Sequence, residues 1–272
     1  MKNFIEQKKQ PNIRLYCMCG GFITFDQSLF THLMGMGKLI EVPVPIFLID
    51  HPKGKVLFET GLHTKVSSDP VGHWGSRRAN EWKPRMMPEQ AIERQLQKLD
   101  LTVDDISYVI LSVLVTDHAG GMQALPNATF IVQHQELQDA FWPDKRNPHD
   151  WDFNELLPTR NFNFWELHGE DLDLFGDGSI EIIFSPAHSR GEQAVVVRLP
   201  KTGTVVLPAG VIPQRENLEQ DIMTGVPRVD PAIVHASMDR LKRIIRLEQA
   251  KVIFHHDLEE WKHIKLAPEF YD

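Results

Sequence analysis

The apolar positions of this chain follow two rhythms. Runs of β-branched and aromatic residues, bounded by glycine and proline, predict strands over 13–18, 42–50, 55–59, 107–115, 128–133, 172–175, 179–185, 193–199, 204–207 and 251–254. Several connecting turns are explicit, among them His51-Pro-Lys-Gly54, Gly176-Asp-Gly178 and Lys201-Thr-Gly203. Helices are predicted in three places. One is opened by Pro88 and carries Ile92, Leu96 and Leu99; a short one starts at Gln135; a third spans 231–247 with Ile233, Met238, Leu241, Ile244 and Ile245 for burial.

Three stretches show no clear period. Residues 20–40 read as loop or short helix, rich in Phe22, Phe25, Phe30, Leu33, Met34 and Met36, and either cover a pocket or pack as a plain lid. Residues 63–87 read as a long surface loop and 141–165 as an insertion. Strands come first in each half and helices after them, with no nucleotide fingerprint. That order predicts an α/β protein of two sheets packed together and flanked by helices. No linker interrupts it, so a single domain over 1–272 is expected.

Bulk properties narrow the partners. A hydrophobic content of 42% is enough for a large core and excludes a disordered chain. A net charge of −8 with no Lys/Arg block argues against nucleic acid and anionic membranes. No apolar run reaches the length of a membrane span, and the N-terminus is polar where a signal peptide would be apolar, so the expected location is cytoplasmic. The two cysteines, Cys17 and Cys19, are too close for a comfortable disulfide. They read as reduced core thiols, with a soft-metal site the alternative.

Candidate chemistry gathers where strands end. Asp117-His118 leaves the run at 107–115 and enters Ala119-Gly120-Gly121; His188 and His256 stand at the ends of two other strands. A lone histidine is an ordinary structural residue, but a metal needs ligands converging from separate elements, which is the pattern here.

The segment 107–121 resembles the metallo-β-lactamase-fold hydrolases, most closely the N-acyl homoserine lactonases. The likeness extends to Val42-Pro-Val-Pro45, Phe58-Glu-Thr-Gly61, Pro186-Ala-His188 and His256-Asp257. It implies an αββα sandwich of two mixed sheets. It also implies two metal sites, one from the leading histidines of a His-x-His-x-Asp-His motif plus His188, the other from Asp117, His118 and His256. The leading positions are Val113 and Val115, and the bridging aspartate falls at Gly210-Val211, assigned to Val211. A pocket tyrosine of the lactonases falls at Gln214, the glycine before the last histidine is His255, the supporting aspartate is Glu59, and Glu192 replaces a second loop histidine.

The resemblance thus implies one surviving mononuclear site of Asp117, His118 and His256, with His188, His255 or Glu192 as further ligands or a base. Asp117 and the position of Gln214 are its catalytic candidates. Phe22, Phe25, Met34 and Ile212 are its substrate wall. The expected cofactor is one divalent metal, zinc first, with Fe(II) or another transition metal as alternatives. Because the changes fall on ligand and pocket positions, they fit natural divergence or engineering. Three functions stay open: a lactonase-type hydrolase of acyl lactones or esters, a repurposed two-histidine-one-carboxylate site with non-hydrolytic chemistry, and a metal-free binding scaffold.

Overall fold

A computed structural model describes residues 11–143 and 151–272. A six-stranded sheet has the order β1-β2-β3-β4-β5-β6: β1 Arg14–Asp26, β2 Leu39–His51, β3 Gly54–Phe58, β4 Ile106–Ile110, β5 Thr129–Gln133 and β6 Asn163–Leu167. A five-stranded sheet takes the later half, with β7 Leu172–Asp173, β8 Ile180–Phe184, β9 Gln193–Leu199, β10 Gly203–Leu207 and β11 Lys251–Val252 in the order β11-β10-β9-β8-β7. The helices in chain order are α1 Pro70–Trp82, α2 Ile92–Gln97, α3 Thr116–Ala119, α4 His134–Phe141, α5 Phe153–Leu156, α6 Arg215–Glu219, α7 Pro231–Glu248 and α8 Leu258–Trp261. Each sheet contains antiparallel and parallel pairs, so both are mixed.

The alternation along the strands dictates the layers. In β2, Phe47 and Ile49 face the other sheet and meet Ile182, Val195 and Val205 in one apolar cluster. Their neighbours Ile46 and Leu48 point the opposite way, onto Ile92 and Leu96 of α2 and Leu156 of α5. The second sheet repeats the arrangement: Val195 and Val197 face inward, while Ala194 and Val196 pack under Val234, Met238 and Leu241 of α7. Both faces of each sheet are therefore covered, which is why the strands read as continuous apolar runs. The result is the expected αββα sandwich.

Several sequence expectations need correction. The strand expected over 107–115 ends at Ile110, and residues 111–115 leave the sheet as a buried turn. Apolar content reports burial, and a buried turn carries the same signal as a buried strand. The loop expected over 63–87 contains α1, kinked at Gly75 and capped by the Asp69 side chain, which accepts from Gly72 N–H. Only Trp74 and Ala79 of that helix are buried, too few to show a period. Strand β1 runs on through a bulge to Asp26, and β6 begins inside the stretch expected to be an insertion, of which 144–150 lie outside the described residues. The buried face of α7 is Val234, Ser237, Met238 and Leu241, leaving Ile233 exposed.

Candidate metal centre

Two turns meet behind the site. Glu59 follows β3 with a φ of 66°, and the next residue, Thr60, ties that turn to α3. Thr60 N–H and its hydroxyl both donate to the His118 carbonyl, at 2.7 and 2.9 Å, and the hydroxyl accepts from Gly121 N–H at 3.1 Å. The two backbones touch so closely that a Cβ on Gly120 would lie 2.5 Å from His63 N, and one on Gly121 would lie 2.4 Å from the Thr60 carbonyl. Ala119-Gly-Gly121 is thus a contact requirement. It fixes where the two residues just before it can point.

Those residues are Asp117 and His118, and His256 joins them from the chain after β11. Each of the three offers one ligand atom within 4.8 Å of the others, and all are buried. Asp117 Oδ2 lies 3.4 Å from His118 Nε2 and 3.7 Å from His256 Nε2. The far nitrogens are committed elsewhere. His256 Nδ1–H donates to the Pro43 carbonyl at 3.1 Å, and His118 Nδ1 sits 3.2 Å from both Glu59 Oε1 and the Ser112 hydroxyl. An acceptor on each Nδ1 sets a proton there and leaves both Nε2 atoms facing the Asp117 carboxylate. Histidines that hold metals are oriented in this way.

Electrostatics agree with a cation between these groups. Burial works against a charge on His118, yet the carboxylates of Asp117 and Glu59 outweigh it and raise its imidazolium pKa. Glu59 is resisted by burial and drawn down by His118 and His255. Burial, with His118 and His255 nearby, keeps His256 in its neutral form, which is the ligating one. The carboxylates thus call for positive charge at the Nε2 side, supplied by a proton or by a metal ion.

The triad opens into a cavity of about 390 Å³ whose other walls are largely apolar, including Phe25, Leu29, Phe30, Trp82 and Val226. The Phe30 ring lies against His256, with centroids 5.1 Å apart. A sequence profile described as the metallo-beta-lactamase superfamily matches residues 39–256. The chain belongs to that superfamily. Its members use divalent metals, usually zinc. Within it, the chain is 33% identical over 269 residues to N-acyl homoserine lactonase AttM of Azorhizobium caulinodans, covering 96% of this chain and 99% of the relative. It is 27% identical over 257 residues to N-acyl homoserine lactonase AiiA of Bacillus thuringiensis subsp. kurstaki, covering 94% and 98%. An N-acyl homoserine lactone hydrolase solved with the product N-hexanoyl-L-homoserine at its catalytic metal centre superposes with a TM-score of 0.85, at 26% identity, over 96% of this chain and all of that one (100%).

Against the metallo-beta-lactamase frame, the structure separates the remaining candidates. Val113 and Val115 line the cavity beside His188 and Glu192. Val211 does not; it is fully buried in the core with Val206 and Met238, and its neighbour Gly210 faces the cavity instead. Of the pair at which the resemblance places the bridging aspartate, Gly210 therefore borders the cavity and Val211, the assigned residue, does not. A Cβ there would fall 2.7 Å from Glu192 Oε1. Glu192 Oε2 accepts from His188 N–H at 2.7 Å, Oε1 is buried without a hydrogen-bond partner among the described residues, and burial pushes the carboxyl up to about 7.

His255 is also placed apart from the triad. It lies behind Glu59, with Nε2 3.6 Å from Oε1, and outside the cluster of ligand atoms, as are His188 and Glu192. Gln214 is not a wall residue either: its Nε2 donates to the His256 carbonyl at 2.8 Å, and Pro213 lines the cavity in its place. Of the expected substrate wall only Phe25 borders the cavity. Phe22 packs under the Arg85 guanidinium, Met34 is exposed, and Ile212 is in the core.

Two buried acids were not singled out in the sequence. Glu155 Oε1 accepts from Trp74 Nε1 and lies within hydrogen-bond distance of His73 Nε2, both 2.9 Å, while Oε2 accepts from the Thr116 hydroxyl. Glu136 accepts from Leu114 N–H at 2.7 Å and from the Ser189 hydroxyl, joining the loop of Val113 and Val115 to the loop of His188. Acids set among tryptophans were the available signal, and it did not point to a particular partner.

Proposed function

We propose that this protein is a metal-dependent hydrolase of the N-acyl homoserine lactonase type, reduced to one metal held by Asp117, His118 and His256. The observation that carries the reading is the shared aim of the two Nε2 atoms at Asp117, each ring fixed from behind by an acceptor on Nδ1. The lactonase names of the relatives supply the substrate class, an acyl lactone or ester. Zinc is the first candidate ion, since the ligand set of two imidazoles and one carboxylate suits it, and iron(II) is the second.

A bound ion would supply Lewis acidity and a more acidic water. The chain supplies the rest. Apolar walls at Phe25, Leu29 and Val226 receive the acyl chain, and Val113 and Val115 keep the adjoining side dry. Asp117 would hold the ion through Oδ2, which lies between the two imidazoles, and its other carboxylate oxygen would move the proton. Water adds to the lactone carbonyl, the acyl C–O bond breaks, and the ring oxygen leaves with a proton as a hydroxyl. Gln214 acts at one remove, holding the His256 carbonyl and hence the ring.

The loss of half the frame's ligand positions carries a quantitative expectation: lactone opening well below that of a two-metal enzyme. Elemental analysis of protein purified without chelators, paired with hydrolysis of a hexanoyl homoserine lactone, tests both parts. One ion in the central site with slow turnover supports the reading; a rate equal to a two-metal lactonase would sink the mononuclear part. A second reading, oxidation at a mononuclear iron, is favoured by the same ligand set beside the valine wall. Stoichiometric Fe(II) binding under anaerobic conditions, lost in His256→Ala, would support it. Absence of any metal in the centre, with stability unmoved by zinc, would instead leave a binding scaffold.

The reading takes residues 1–272 as one folding unit, supported by an apolar cluster that draws on both sheets. A single calorimetric unfolding transition is expected, and two resolved transitions would divide it. The free thiols Cys17 and Cys19 suit a reducing compartment, so a cytoplasmic location is part of the same proposal. Among the described residues, no helix is long and apolar enough to cross a membrane.

A further inference from the structure

We infer that the chain carries a second, peripheral metal site, formed by His134, Glu166 and His168 at the C-terminal ends of β5 and β6, which takes a borderline divalent ion such as zinc, nickel or copper(II). The two strands are parallel, with Gln133 opposite Leu167. His134 and His168 each stand one residue beyond that pair, so the register brings them side by side. Their rings stack with centroids 4.8 Å apart at 29°. Glu166 precedes His168 by two residues and shares its face of β6, while Leu167 between them is buried. Its Oε2 lies 2.6 Å from His134 Nδ1.

One ligand atom from each of the three side chains lies within 4.8 Å of the others. The support behind them is equally definite. The buried Gln133 accepts from Gly169 N–H at 2.9 Å through Oε1, and its Nε2 donates to the Glu170 carbonyl at 3.1 Å and to Gln193 Oε1 at 3.0 Å. One amide therefore clamps the residue before His134 to the two residues after His168. The donors are presented on fixed backbone, and only their side chains need adjust.

Chemistry selects the ion. Two imidazoles with one carboxylate suit zinc, nickel and copper(II), whereas magnesium and calcium prefer all-oxygen shells. The side chains of His134 and Glu166 are 37% and 41% exposed, so an ion enters without any opening of the fold and water completes its shell. The cluster shares no ligand with the central triad. It does share a helix with the bracing of that site, because α4 begins at His134 and carries Glu136.

The test uses metal-free full-length protein titrated with zinc by calorimetry, with metal content measured after dialysis and copper(II) as a paramagnetic probe. We expect two classes of site in the unmodified protein. His168→Ala, a change at an exposed position, should remove the peripheral class or weaken it roughly tenfold or more, since even outer partners of ligands are worth that much. It should leave the central class and lactone hydrolysis unchanged, and should strip the imidazole coupling from the peripheral copper signal. His256→Ala should do the reverse; if it fails to fold, the comparison of unmodified protein with His168→Ala carries the test alone. Identical zinc stoichiometry and affinities in the unmodified protein, His168→Ala and His134→Gln would overturn the proposal and leave an ordinary surface ion pair. Failure of the central site would leave the peripheral class intact, so the two readings fail separately.

Discussion

Within six residues, Val113 and Val115 face the cavity with methyl groups, and Asp117 and His118 face it with ligand atoms. Both sides are braced from behind by buried acids. Glu59 backs His118, while Glu136 takes Leu114 N–H and Glu155 takes the Thr116 hydroxyl. On the polar side the brace reaches a ring nitrogen and sets how it can ligate. On the apolar side the braces hold only the backbone and the neighbouring residues. The comparison separates two things that a metal site needs: a scaffold that places positions, and side chains that offer lone pairs. In this protein the scaffold is present on both sides, and the lone pairs on one.

The largest test breaks the polar side. His256→Ala should empty the central site of metal and lower any lactone hydrolysis by on the order of 100-fold or more, taking the cost of lost outer partners as the lower bound. Metal analysis and initial rates measure it, and unchanged content would remove His256 from the ligand set. A smaller effect is expected from Glu59→Gln, which keeps the shape and withdraws the charge facing His118 Nδ1. Central metal affinity should fall by roughly 10- to 100-fold, read by competition with a chelator. The mildest test rebuilds the apolar side. Val113→His with Val115→His should add up to one further zinc equivalent through His188, with a modest gain in lactone turnover. If the scaffold there has collapsed, no extra metal will bind and the comparison fails.

The parts of this molecule that were legible in the sequence are those where one physical demand dominates. The run of β2 is apolar because both its faces are covered, and it was recovered nearly to its ends. Asp117, His118 and His256 stand out in the sequence as ligand-type residues at strand ends, and the fold brings the three together. The turn at 111–115 was misread as strand because its residues are as buried as those of β4. That Gly210 and not Val211 borders the cavity turns on a one-residue phase, set by the three-residue helical turn at Ala209–Val211. Helix α1 hid because its contacts are mostly polar: Arg78 pairs with Asp152 at 2.7 Å, and His73 and Trp74 reach Glu155. The partners of Glu136 and Glu155 are set by tertiary approach, which no local pattern encodes.

The contact between Gly210 and Glu192 also bears on how this site could change. With 2.7 Å between a Cβ at 210 and Glu192 Oε1, any side chain introduced at 210 requires that carboxylate, the far end of a flexible side chain, to turn aside. An aspartate there would add a second buried carboxylate beside it. Replacing Glu192 alone would leave His188 N–H without its acceptor. The two positions are therefore coupled: a side chain at 210 is accommodated when the Glu192 carboxylate swings aside, and that movement disturbs the acceptor of His188 N–H. That interlock means that a change made at either position is felt first at the other, through one carboxylate that serves both.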